Sequence, residues 1–257
     1  MNNLSGKFNR TDFGHEVYDR WYLEHARHNF ESREFVEKHF PFYEQALLLS
    51  KNDKILEAGC GIGSYSREFA RHGYHVIGMD LSPNFLSEAQ KITQRESLEI
   101  EFILGDYNEM SFKERFSVIF FEGSFFYRSK EGLISLLNRI HKALMPNGRV
   151  YFEHPNQSTI KKKFPMVNLC EIERNVFVLQ MGEYDEGEEG SRNTWLKIDL
   201  KTQKHYRCDF FLKYLSPGEL KNCLMAAGFM DFHFYKKRRI EDFHPGNDNG
   251  FSVVARK

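Results

Sequence analysis

The sequence predicts a doubly wound α/β fold: a mostly parallel, seven-stranded sheet with an antiparallel β insert after the fifth strand and a helical lid at the N-terminus. Three observations predict it. Short apolar strands alternate with helical stretches from Lys54 to His154. The first strand runs into a turn with glycines at alternate positions, Gly59, Gly61 and Gly63. That alternation breaks after Asn156 into long strand-like stretches and resumes at Ser216. Strands separated by helices of roughly 10–15 residues imply right-handed crossovers and a parallel sheet.

Taken in order, residues 54–57 read as the first strand, and 65–71 as a helix that stops near Gly73. HVIGMD (75–80) is the second strand. The helix over 82–94 has Ser82 as N-cap and Pro83 at its first position, where a missing N–H costs nothing. Residues 98–106 and 116–122 supply the third and fourth strands. An amphipathic helix over 131–148, ended by Pro146 and Gly148, leads to the fifth strand, 148–155. Residues 175–187, 193–200 and 204–215 read as an antiparallel set joined by turns at EGEEGS and KTQ. Ser216 and Glu219 form a capping box for a helix that stops at Gly228, and 230–235 and 251–256 are the last two strands. The expected organisation is a lid over 1–50, a core of 51–156 with 215–257, and an insert over 157–214.

Composition narrows the function. Of the 257 residues, 41% are hydrophobic, enough for a substantial core. Lys+Arg and Asp+Glu are both 36, and a formally neutral chain argues against nonspecific nucleic-acid binding. Basic clusters at Lys161-Lys162-Lys163 and Lys236-Lys237-Arg238-Arg239 read as a solvated loop or strand end. No apolar run reaches the roughly 18–20 residues that span a bilayer, and the N-terminus lacks an apolar signal core, so a soluble, cytoplasmic protein is expected. Cys60, Cys170, Cys208 and Cys223 show neither zinc nor disulfide spacing, and no metal site is expected. Cys60, between two glycines, reads as a small side chain that fits, not as a nucleophile.

A dinucleotide turn needs G-x-G-x-x-G, and Ser64 stands where the third glycine of that pattern would fall. The first strand also ends in Glu57, a poor neighbour for a pyrophosphate but a good one for a cationic ligand. Asp80, Asp106 and Glu122 follow the second, third and fourth strands. Ligands of open α/β sheets bind outside the carboxyl ends of the strands, so these acids should project towards one crevice. Asp80 is placed to accept from both hydroxyls of a ribose, and Asp106 from an exocyclic amine. Acids also commonly cap the helix that follows a strand.

ILEAGCGIGSYS (55–66), VIGMDLSPNFL (76–86), ILGDY (103–107), FSVIFFEGSFFY (116–127) and LMPNGRVYFEHP (144–155) together resemble the class I S-adenosylmethionine-dependent methyltransferases, and most of all their small-molecule branch. The resemblance covers about 54–156 and 216–257. It implies a Rossmann-like core, S-adenosylmethionine as cofactor and S-adenosylhomocysteine as product, with the β insert over the substrate site. Gly59, Cys60, Gly61 and Gly63 would pass under the methionine part, with Glu57 orienting the turn and reaching the ammonium through water or backbone. Asp80 would hold the ribose, Leu81 and Tyr107 would flank the adenine, Asp106 would meet its amine, and Glu122 would lie near the methionine. Tyr18, Trp21 or Tyr22 would close over the site, or serve ordinary helix packing.

The reaction expected is in-line transfer of a methyl group to an O, N or C atom of a small-molecule acceptor, without a metal. If a general base takes part, His154 at the end of the fifth strand is the first candidate and Glu153 the second. Glu122-Gly123-Ser124-Phe125-Phe126-Tyr127 replaces the Asn/Asp-Pro-Pro-Tyr turn of enzymes that methylate planar nitrogens, which argues against a nucleobase acceptor. The competing readings are an RNA or protein methyltransferase using the two basic clusters, a nicotinamide oxidoreductase, and a non-catalytic nucleotide binder. Oligomeric state is not encoded in any pattern found.

Overall fold

The computed structural model describes residues 32–257 apart from 124, 126 and 128. Helix α1 (Arg33–Ala46) is capped by Ser32, whose hydroxyl accepts from Phe35 N. The alternating core follows: β1 (Lys54–Ala58), α2 (Ser64–Arg71), β2 (His75–Asp80), α3 (Pro83–Arg95), β3 (Glu101–Leu104), β4 (Phe116–Phe120), α4 (Lys130–Ala143) and β5 (Leu144–Pro155). A short helix α5 (Gln157–Ile160) leads to four strands, β6 (Met166–Glu173), β7 (Val176–Asp185), β8 (Gly190–Asp199) and β9 (Lys204–Lys213). Helix α6 (Pro217–Ala226), β10 (Asp231–Lys236) and β11 (Gly250–Arg256) complete the chain.

Seven strands form one sheet in the order β10-β11-β5-β4-β1-β2-β3. The pairs among β1 to β5 are parallel; β11 runs antiparallel to both β5 and β10. Successive residues of the central strands divide between two cores, as a period of two requires. Leu56, Ile119, Phe152 and Val253 pack with Leu137 and Ile140 of α4 and Leu220 and Leu224 of α6. Ile55, Val118, Tyr151 and Val254 pack on the opposite face with Phe40 and Tyr43 of α1 and Phe69 of α2. Each such side chain contributes roughly 1.5–3 kcal/mol when fully buried. Central strands are therefore apolar on both faces, the signature of a covered parallel sheet.

Local signals act as expected at two helix starts. Ser82 accepts from Phe85 N with Pro83 behind it, and Ser216 and Glu219 bond reciprocally. Three boundaries differ from expectation. Helix α4 ends at Ala143, not near Gly148, because Glu114 N and Arg115 N take up the last carbonyls, of Lys142 and Ala143 (2.8 Å each). The chain then enters β5 at Leu144, opposite Phe116, with Asn147 left-handed at φ 61° in the irregular stretch before Arg149. Strand β3 spans four residues, not nine. The second sheet has four strands where three are expected, in the order β6-β7-β8-β9 and antiparallel throughout. Among the described residues no helix is long and apolar enough to cross a membrane.

Candidate active site

The order of the parallel strands sets their carboxyl ends side by side, so Glu153 and His154 (β5), Glu122 (after β4), Glu57 (β1), Asp80 (β2) and Asp106 (after β3) follow one edge in that sequence. Between β1 and α2 the turn is tied to β2: Gly59 N and Cys60 N both donate to Met79 O, at 2.7 and 3.0 Å. Gly59, Gly61 and Gly63 all have left-handed φ, 75°, 54° and 75°. A Cβ on Gly61 would meet nothing within 4 Å, so the turn presents bare backbone to open space. Behind the turn the packing is tight; a Cβ on Gly78 would stand 2.8 Å from the Phe102 ring.

Asp80, 8% exposed, closes this turn. One carboxylate oxygen accepts from Gly61 N at 2.8 Å and the other from Ser82 N at 2.9 Å. Glu57 is buried and accepts from Ser66 N at 2.7 Å and from the Ser66 hydroxyl. A carboxylate in the first turn of α2 satisfies a donor the helix cannot and complements its dipole. Asp106 accepts from Asn108 N and Nδ2 at 2.8 and 2.9 Å, capping a 3₁₀ turn over Tyr107–Glu109. Tyr107 packs edge-on to Phe121, with ring centroids 5.3 Å apart. Leu81 is half-buried beside Asp80. Cys60 is buried, and burial first, then Asp80 and Glu57, push its thiol well above the usual range; it is no nucleophile.

Glu122 has a partner that its sequence context does not indicate. Its side chain, 2% exposed, is ion-paired with Arg238, and Tyr43 donates to it at 3.2 Å. Arg238 also lies 2.9 Å from Glu153, which takes a further ion pair from Lys237 at 2.6 Å and a hydrogen bond from Tyr151 at 3.0 Å. Burial works against the Arg238 charge, but Glu122 and Glu153 outweigh it and hold the guanidinium more firmly protonated than usual. Arg238 itself has a left-handed φ of 54°, and its N–H is held by the Ser252 hydroxyl at 3.0 Å. The sequence signal for this residue, a run of four basic residues, reads as surface.

His154 is buried, and desolvation lowers its pKa to about 4, so the ring is neutral at physiological pH. Pro155 O, 2.7 Å from Nδ1, can only accept, which places the single ring proton on Nδ1. Nε2 therefore accepts from the Tyr127 hydroxyl. These groups line a cavity of about 690 Å³ that also touches Gly123, Phe125 and Tyr214. Tyr18 and Tyr22, expected over the site, lie outside the described residues.

Residues 55–148 match the family model for the methyltransferase domain. That stretch is therefore a methyltransferase domain. Among curated relatives, the Bacillus subtilis protein YqeM is 30% identical over 120 residues, which cover 46% of this chain and 48% of YqeM. The chain thus spans about half the length of that relative. Solved structures share the domain's fold over nearly the whole chain. The CcbJ methyltransferase from Streptomyces caelestis has a TM-score of 0.73 at 16% identity, covering 97% of this chain and 99% of its own. S-adenosylmethionine-bound CalS10, an amino pentose methyltransferase from Micromonospora echinaspora, has a TM-score of 0.59 at 15% identity, covering 94% and 99%. The bare, left-handed turn hydrogen-bonded to a buried carboxylate has features that S-adenosylmethionine, the ligand of CalS10, would need: close backbone approach and an acceptor for its ribose hydroxyls.

Proposed function

We propose that this chain transfers the methyl group of S-adenosylmethionine to a small-molecule acceptor held in the cavity beside the tips of β4 and β5. The observation that carries the reading is the turn at Gly61, open to solvent and fastened to Asp80. In this reading Gly59, Cys60, Gly61 and Gly63 lie under the methionine part of the cofactor, and Asp80 accepts from the ribose. Leu81 and Tyr107 flank the adenine while Asp106 accepts from its amine. Glu57 holds the turn through Ser66 and orients it towards the ammonium, and Glu122, fixed by Arg238, stands at the methionine end.

When bound, the cofactor supplies an electrophilic methyl on its sulfonium. The residues of the chain have to align the acceptor and exclude water, and positioning alone can lower a barrier by roughly 7–11 kcal/mol in the best intramolecular cases. Phe125, Tyr127 and Tyr214 give the cavity apolar walls for that purpose. His154 and Glu153, the candidate bases, are engaged. With a pKa of about 4 and Nε2 accepting from Tyr127, His154 is a weak proton acceptor. Glu153 is tied to Arg238 and Lys237. We therefore assign His154 the role of positioning Tyr127. An amine fits best as acceptor, because it attacks as the neutral base and sheds its proton afterwards. CalS10, which acts on an amino pentose, is consistent with that chemistry.

Incubating the full chain with S-adenosylmethionine and a panel of small amines, alcohols and tRNA tests the reading. Formation of S-adenosylhomocysteine together with an N-methylated product supports it. Turnover with tRNA alone would replace it with the RNA reading.

A further inference from the structure

Two basic runs that are far apart in sequence meet in the fold. Lys163, from the 3₁₀ turn Lys161–Lys163 after α5, lines the same cavity as Lys236, Lys237 and Arg239 at the end of β10. Lys213, at the end of β9, joins them. Five cations line this cavity against two carboxylates, Glu153 and Asp248. Both carboxylates are already used. Glu153 pairs with Lys237 at 2.6 Å and with Arg238, and Asp248 lies 3.6 Å from Lys236. Lys213 donates to Glu188 O at 2.7 Å and lies 3.3 Å from Glu189. Lys163 and Arg239 are exposed and have no carboxylate partner among the described residues. His154, neutral at physiological pH, adds no charge.

We propose that the acceptor carries an anionic group, a carboxylate or a phosphate, and that Lys163 and Arg239 grip it. This rests on the methyltransferase reading and names the substrate class of its acceptor site. Uncompensated cations around one concavity repel each other and draw in an anion, and arginine's planar fork matches either group bidentately. The same charges disfavour an ammonium nearby, which keeps an acceptor amine in the neutral, nucleophilic form. A cavity of about 690 Å³ suits a small molecule. The chain as a whole is formally neutral, with 36 residues of each sign, so the basic character is local to this site.

Calorimetry on the full chain tests the proposal, first with S-adenosylhomocysteine alone and then with that product saturating. Benzoate, phenyl phosphate and the neutral isostere benzamide serve as probes, matched to the aromatic walls. One of the two anions should bind at least about tenfold more tightly than benzamide, and the anion preferred tells carboxylate from phosphate. The variant Lys163→Gln/Arg239→Gln should weaken that anion about tenfold and leave S-adenosylhomocysteine binding unchanged. The proposal fails if benzamide equals both anions, if no anion binds, or if the variant binds the anion as the parent does. It fails also if tRNA binds with steep salt dependence that the variant loses. Absence of S-adenosylhomocysteine binding would instead defeat the methyltransferase reading, and the anion titration would still judge the cavity.

Discussion

The Tyr127 hydroxyl hydrogen-bonds to Nε2 of His154, a neutral ring whose opposite nitrogen donates to the Pro155 carbonyl. This bond joins the segment after β4 to the tip of β5, in the lining of the cavity where the acceptor would sit. It makes the ring an orienting group, and it makes acid its weak point.

In the folded chain His154 titrates at about 4, against an ordinary value of 6.5. Between those values the unfolded chain binds a proton that the folded chain does not. Stability should therefore fall as pH drops from about 6.5 to about 4. The loss from this group alone is of order 3 kcal/mol. Urea unfolding at neutral pH and at the acid end of the window checks this. His154→Gln should narrow the difference between the two conditions.

Asp80 fastens the glycine turn and, in the proposed function, the ribose. Asp80→Ala should weaken S-adenosylhomocysteine binding by an order of magnitude or more, since a hydrogen bond to a charged group is typically worth roughly 1.5–3 kcal/mol. Asp80→Asn, which keeps the shape, should lose less. Equal affinity of a folded Asp80→Ala protein would remove Asp80 from the site.

Gly61 and Gly78 separate function from packing. At Gly61 an added methyl enters open space and meets only the left-handed φ of 54°, so Gly61→Ala should cost about 1 kcal/mol of stability. In the proposed function the same methyl stands in the cofactor's path and should reduce its affinity. Gly78→Ala pushes into the Phe102 ring and should destabilise the fold by about 1–3 kcal/mol. Chemical denaturation and calorimetry on both variants read the two effects.

Arg238 bridges Glu122 and Glu153 in a largely buried cluster. Arg238→Met leaves buried carboxylates facing each other and should cost about 3–5 kcal/mol in thermal or urea unfolding. Adding Glu122→Gln should recover part of that loss, because the stranded charge is then removed.

What the sequence showed of this fold is what is encoded locally. Ser82-Pro83 and Ser216 with Glu219 each place a helix start within a few residues, and the alternation from Lys54 to His154 follows from burial on both sheet faces. Strand β6 escaped notice because it is an edge strand whose Val167 and Leu169 are exposed, so no clean period of two marks it. The end of α4 was misplaced because residues 114–115, not Pro146 or Gly148, cap its last turn. At the site, the acids at the strand tips could be read from strand ends. The pairings of Glu122 with Arg238 and of His154 with Tyr127 could not, since they join distant segments brought together only by the sheet. The meeting of Lys163 with Arg239 is hidden for the same reason.

Titration calorimetry of the intact chain with S-adenosylhomocysteine and with NAD tests the central claim most directly. The account predicts saturable binding of the sulfur nucleoside, weakened by Asp80→Ala, and no heat from NAD. Binding of NAD in its place, or of neither, would contradict it.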